Sequence, residues 1–104
     1  MIIAVDFDGT LCEDKFPSIG TPNNSLITQL IEKQSTGDKL ILWTCRTKNN
    51  LADAIKWCAT FGLFFDAIND NLQEVKTLYG GDSRKIFADV YIDDRAKNPI
   101  SLSM

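Results

Sequence analysis

Ile2-Ile3-Ala4-Val5-Asp6-Phe7-Asp8-Gly9-Thr10-Leu11 is the stretch that decides the fold. An apolar, largely β-branched run that stops at an acid reads as a central parallel strand, covered on both faces, with charge collecting at its carboxyl end. Two later runs repeat the pattern. Leu40-Ile41-Leu42-Trp43 stops at Thr44-Cys45-Arg46, and Val90-Tyr91-Ile92 stops at Asp93-Asp94. Residues 9–22 mix Gly, Pro, Thr, Ser and charges, which predicts a loop with a short turn or hairpin lying over the strand ends.

Helical spacing fills the intervals. Asn23, Asn24 and Ser25 are good N-caps, and Leu26, Ile27, Leu30 and Ile31 recur at helical period until Gly37 supplies a stop. From residue 49 or 50 to residue 61, Leu51, Ala54, Ile55, Cys58 and Phe61 keep the same spacing, with Gly62 as terminator. A short strand over 64–68 and a brief helix over 71–79 are expected, the latter broken by Gly80-Gly81-Asp82-Ser83. Alternation of strand and helix implies an α/β domain spanning residues 1–104: a Rossmann-like three-layer sandwich, with helices on both faces of a central parallel sheet. No internal repeat, linker or low-complexity segment interrupts it.

Bulk properties narrow the function classes. The chain has 104 residues, 44% hydrophobic and 24% charged, the balance of one soluble domain large enough to fold without a staple. A formal net charge of −3 with scattered Lys and Arg argues against a nucleic-acid footprint. The three cysteines, Cys12, Cys45 and Cys58, are odd in number and lack metal-ligand spacing, so they read as reduced thiols of a cytoplasmic protein. Histidine is absent, which removes the usual zinc sites. The opening apolar run meets Asp6 at once and is too short for a signal peptide or a membrane span.

In open parallel sheets, ligands sit outside the carboxyl ends of the strands, where Asp6, Thr44 and Asp93 are all expected. Asp6, Asp8, Asp93 and Asp94 brought together there would repel unless a cation neutralised them, and hard carboxylate oxygens suit Mg²⁺. Such a metal also lets an anionic Asp approach an anionic phosphate. Thr44 and a lysine are suited to hold phosphate oxygens, while Asp8 is suited to protonate the leaving oxygen and then activate water. Each piece has a bland reading: a turn pair for Asp6 and Asp8, a strand-end hydroxyl for Thr44, a solvated turn for Asp93-Asp94. Three strand ends supplying the right groups together favour chemistry.

Asp6-Phe7-Asp8-Gly9-Thr10-Leu11 resembles the first motif of the haloacid dehalogenase superfamily, Thr44 after its apolar strand resembles the second, and Asp93-Asp94 resembles the fourth. The resemblance implies a phosphohydrolase with Asp6 as nucleophile, Asp8 as general acid and base, Thr44 as phosphate ligand and Asp93 as main acidic Mg²⁺ ligand. The backbone carbonyl of Asp8 would complete the protein ligands, and Asp94 would be a second ligand or hold one in place. An Asp at position 8 is the phosphatase pattern of that superfamily. Its lysine usually lies further upstream of the acidic pair than Lys85 does; Lys85 is preferred and Lys76 is the rival. The alternative for either is a solvated surface charge.

Neither 9–22 nor 69–84 has room for a cap domain, so an open site is expected. Such a site admits large phosphorylated substrates, including a macromolecule or a nucleic-acid end, or a homo-oligomer whose neighbour supplies the lid. Arg46 is a candidate for a second anionic group or for a surface salt bridge, and Cys45 for packing. Two other classes remain open: a phosphate-accepting signalling domain of the response-regulator receiver kind, and a catalytically silent binding module. In the receiver the accepting Asp ends a later strand, whereas here the second central strand ends in Thr44.

Overall fold

The computed structural model describes residues 1–70, 72, 73 and 87–93. Within it β1 (Ile2–Val5) is the hub of a four-stranded sheet. It pairs in parallel with β4 (Lys39–Leu42) on one side and with β6 (Val90–Ile92) on the other. The edge strand β5 (Ala67–Ile68) pairs in parallel with β4, giving the order β5-β4-β1-β6. Ile3, Val5, Leu40, Ile41 and Leu42 are wholly buried, as continuous apolar strands of a parallel sheet must be. Truncating any of the leucines to alanine would cost about 2–5 kcal/mol.

α1 (Asn24–Ser35) links β1 to β4, and α2 (Lys48–Ala59) links β4 to β5. Both crossovers step in the same direction across the sheet, so right-handed connections put both helices on one face. Leu26, Ile27 and Leu30 of α1 and Ala54 and Cys58 of α2 share one core cluster with Ile3, Val5, Leu40 and Leu42. Ala4 and Ile41 point to the opposite face and meet Leu72, with Ile2, Ala67 and Ala88 alongside. The α/β class and parallel sheet agree with the sequence. The expected helix over 71–79, which would make the third layer, lies outside the described residues apart from Leu72 and Gln73.

The stretch after the first motif forms a hairpin. β2 (Cys12–Lys15) and β3 (Ser18–Pro22) pair antiparallel, with an irregularity between Cys12 and Asp14, around a Phe16–Pro17 turn. Gly20 is required there: a Cβ at this position would lie 2.3 Å from the Glu13 carbonyl oxygen. Asn23 then caps α1, its side-chain oxygen accepting from Leu26 N–H at 3.3 Å while its amide donates to the Thr10 carbonyl at 3.2 Å. One residue thus fixes both the helix start and the motif loop.

β5 is shorter than the expected 64–68. Asp66 accepts the Leu40 N–H on its carboxylate at 2.8 Å and returns its own N–H to the Leu40 carbonyl at 2.8 Å, so a side chain replaces the ladder there. Phe64 is left 59% exposed, outside the sheet. Past the end of β5, Asn69 adopts φ +51°, donates its N–H to the Leu42 carbonyl at 2.7 Å and accepts the Thr44 N–H on its side-chain oxygen at 2.7 Å. This residue sets the path of the chain leaving β4.

Two outcomes follow from these contacts. Asn69→Gly keeps the left-handed backbone and loses one side-chain hydrogen bond, so urea unfolding should show a loss of about 1 kcal/mol. Asn69→Ala should lose roughly 1 kcal/mol more from backbone strain; equal losses would show that the backbone at 69 relaxes. Burial pushes the Cys58 thiol up to about 12 and raises that of Cys12, while Cys45 is exposed. Native alkylation at mildly alkaline pH, read by peptide mass spectrometry, should modify Cys45 well before either of the others; comparable rates at all three would contradict the burial.

Candidate functional site

The site is built by the register of three strands. Asp6 N–H donates to the Ile92 carbonyl at 2.8 Å and Trp43 N–H to the Val5 carbonyl at 2.9 Å, extending the β1–β6 and β1–β4 ladders by one step. The residues that follow each ladder therefore emerge at the same height. Asp6, Trp43, Thr44, Cys45 and Asp93 line one open pocket of about 240 Å³ at the carboxyl edge of the sheet. Its size suits a phosphate-sized group better than an enclosed organic ligand. A concavity of similar volume on α1, lined by Gln29, Glu32, Lys33 and Thr36, brings no such convergence of strand ends.

Local hydrogen bonds orient these groups. The Asp6 carboxylate accepts the Phe7 N–H on Oδ1 at 2.8 Å, which fixes its rotation just after the strand. Thr44 gives its N–H to Asn69 and accepts the Arg46 N–H on Oγ1 at 3.1 Å, so its own hydroxyl proton is available to a pocket ligand. Phe7 turns inward and is wholly buried, its ring meeting Trp57 edge-on at 5.5 Å. Gly9, at φ +82°, lets the chain reverse so that Gly9 N–H reaches the Cys12 carbonyl at 2.9 Å.

Asp8 and Arg46 depart from expectation. Both Asp8 oxygens are held by the Arg46 guanidinium, Oδ2 from Nε and Oδ1 from Nη2, each at 2.8 Å, and Asp8 is not among the pocket-lining residues. Arg46 is only 2% exposed, so it is neither a surface salt bridge nor an open anion ligand. Its remaining N–H groups donate to the carbonyls of Pro17, Asn50 and Ser18 at 3.2, 3.3 and 3.0 Å, which uses every donor that a guanidinium has. The Asp8 carboxylate raises the guanidinium pKa further, against the opposing effect of burial.

Of the residues expected from sequence, the structure brings Asp6, Thr44 and Asp93 together and places Asp8 beside them on Arg46. Lys85, Lys76 and Asp94 lie outside the described residues. Asn69, Trp43 and Cys45 belong to the site and were not expected there. An Asn directly after a strand, tolerant of the left-handed region, is the one signal that could have found Asn69.

The donor set can be tested against Mg²⁺. Among the described residues no group of three His, Cys, Asp or Glu side chains could hold a metal ion. Asp6 and Asp93 nonetheless bring carboxylate oxygens to the same pocket, and Mg²⁺ is commonly held by one or two carboxylates together with waters and substrate phosphate. The residues present fit such an ion. No helix among the described residues is long and apolar enough to cross a membrane.

No known protein-family model matches the sequence, and no curated protein matches it. A solved structure of a conserved protein encoded by a Bacteroides thetaiotaomicron locus superposes with a TM-score of 0.81 at 42% sequence identity, covering 93% of this chain and 78% of that one. At that identity and over that length the likeness is one of descent as well as of fold: the chain belongs to the same family as this Bacteroides thetaiotaomicron protein.

Proposed function

We propose that this protein is a Mg²⁺-dependent phosphomonoester hydrolase that works through an aspartyl-phosphate on Asp6, on a capless, Rossmann-like domain of the haloacid dehalogenase kind. The observation that carries the reading is the convergence of Asp6, Thr44 and Asp93 from three strand ends around one open pocket. The likeness of Asp6-Phe7-Asp8-Gly9-Thr10-Leu11 to that superfamily's first motif supports it independently.

In this scheme the Asp6 carboxylate attacks phosphorus in line with the ester oxygen. The new O–P bond forms as the bond to the alcohol breaks, and the departing oxygen takes a proton from protonated Asp8. Water then gives a proton to the Asp8 carboxylate and attacks the same phosphorus, releasing inorganic phosphate and restoring Asp6. Thr44 donates its hydroxyl to a phosphate oxygen throughout. Lys85, or Lys76 in its place, would supply a positive charge to the same group. Held by Asp6, Asp93 and the Asp8 carbonyl, with Asp94 in support, Mg²⁺ would offset the repulsion between carboxylate and phosphate.

The open pocket suits a phosphate carried on a large molecule, nucleic-acid ends included, or a homo-oligomer in which a neighbour covers the site. Three free thiols support a reducing, cytoplasmic setting. A catalytically silent binding module is the second reading, favoured by one observation: Asp8 rests on Arg46 rather than lining the pocket.

Phosphate release from a panel of phosphomonoesters and phosphorylated nucleic-acid ends decides between them. Release should require Mg²⁺, stop on chelation, fall to background in Asp6→Asn, and drop about 10²–10⁴-fold in Asp8→Asn. Lys85→Ala should lose more activity than Lys76→Ala. Full activity in Asp6→Asn would remove Asp6 as nucleophile, and no release from any ester, with phosphate still bound, would favour the silent module.

A further inference from the structure

Arg46 touches more than Asp8. Its guanidinium lies 5.0 Å from the ring centroids of both Phe7 and Phe16, so the cation sits between a motif residue and the hairpin turn. Two of its five N–H bonds go to Asp8, two to the Pro17 and Ser18 carbonyls of the turn, and one to Asn50 in α2. The Arg46 side chain is 1% exposed and that of Asp8 19%. The hairpin is also tethered next to Asp8 by its base, through the Asp8–Cys12 bridge and the Gly9 N–H bond to the Cys12 carbonyl.

We propose that Arg46 is the positioning residue of Asp8, and that the fork it makes with Asp8 couples the orientation of that carboxylate to the placement of the β2–β3 hairpin. The catalytic half of this statement rests on the proposed function; the mechanical half does not. If Asp8 turns toward the pocket, the guanidinium loses two charge-assisted bonds and keeps three to neutral carbonyls, of which two belong to the hairpin. A cation held at 2% exposure without its counter-ion is strongly disfavoured. The balance is restored when the hairpin shifts and lets water reach Arg46. Asp8 in the fork and a docked hairpin are therefore one state, and Asp8 in the pocket with a loosened hairpin is the other. A lysine cannot substitute, because it has no planar fork and too few donors to hold carboxylate and turn at once.

Backbone hydrogen exchange in the full chain tests the coupling without any substrate. Asp8→Asn, which preserves size but removes the carboxylate charge, should speed exchange of the protected amides of residues 12–22 about tenfold or more, leaving those of β1 and β4 unchanged. Arg46→Lys should do the same. Unchanged hairpin protection in Asp8→Asn would overturn the coupling. Arg46→Lys also separates positioning from substrate binding: positioning lowers kcat with KM nearly constant, and a raised KM with kcat intact would assign Arg46 to the substrate and overturn the proposal. Should the wild-type protein release no phosphate, the hydrolase reading falls, and the exchange comparison still decides whether Asp8 holds the hairpin.

Discussion

The parallel pairing of β1 with β4 and β6 is the constraint on which the rest depends. Ile3 sits opposite Leu40 and Val90, and Val5 opposite Leu42 and Ile92, so one register fixes three strand ends at one height. A slip of β1 by one residue would turn Ile3 and Val5 away from the core they share with α1 and α2 and bring Ile2 and Ala4 in their place, at a cost far above any local gain. Burial of the strands therefore also positions Asp6, Thr44 and Asp93 around one pocket. Chain segments separated by dozens of residues deliver their polar groups to one edge because their apolar portions must align.

The buried Arg46 is the second organising element, and it works against the grain of the core. Removing a guanidinium from water is costly, and here the cost is offset by two aromatic faces, three carbonyls and a bidentate carboxylate. Such a group does little for stability relative to an apolar residue of similar size, but it allows very few arrangements of its neighbours. The hairpin, the start of α2 and the first motif are held in mutual register by its five bonds. The same arrangement holds both oxygens of Asp8 in the fork.

Much of this was legible in the sequence. Apolar runs ending abruptly in Asp6, Thr44 and Asp93 announced both the strands and the pocket, and Asn23 and Gly37 bounded α1 as their chemistry predicts. The shortened β5 was not legible, since an Asp66 side chain standing in for a strand cannot be told from a loop acid. Arg46 was read as a surface charge or an anion ligand because its partner lies 38 residues away and only the folded hairpin supplies the carbonyls. Asn69 was missed for a similar reason: its role is to hold the backbone of Thr44, a contact across 25 residues.

In the proposed reaction Asp6 carries the phosphoryl group. Acid quenching during turnover of a phosphomonoester, followed by borohydride reduction and peptide mass spectrometry, converts an aspartyl-phosphate to homoserine at the residue that bore it. Homoserine is expected at position 6 of the wild-type protein during turnover and not in the same protein without substrate. Turnover with position 6 unmodified, or with the modification at another acid, would contradict it.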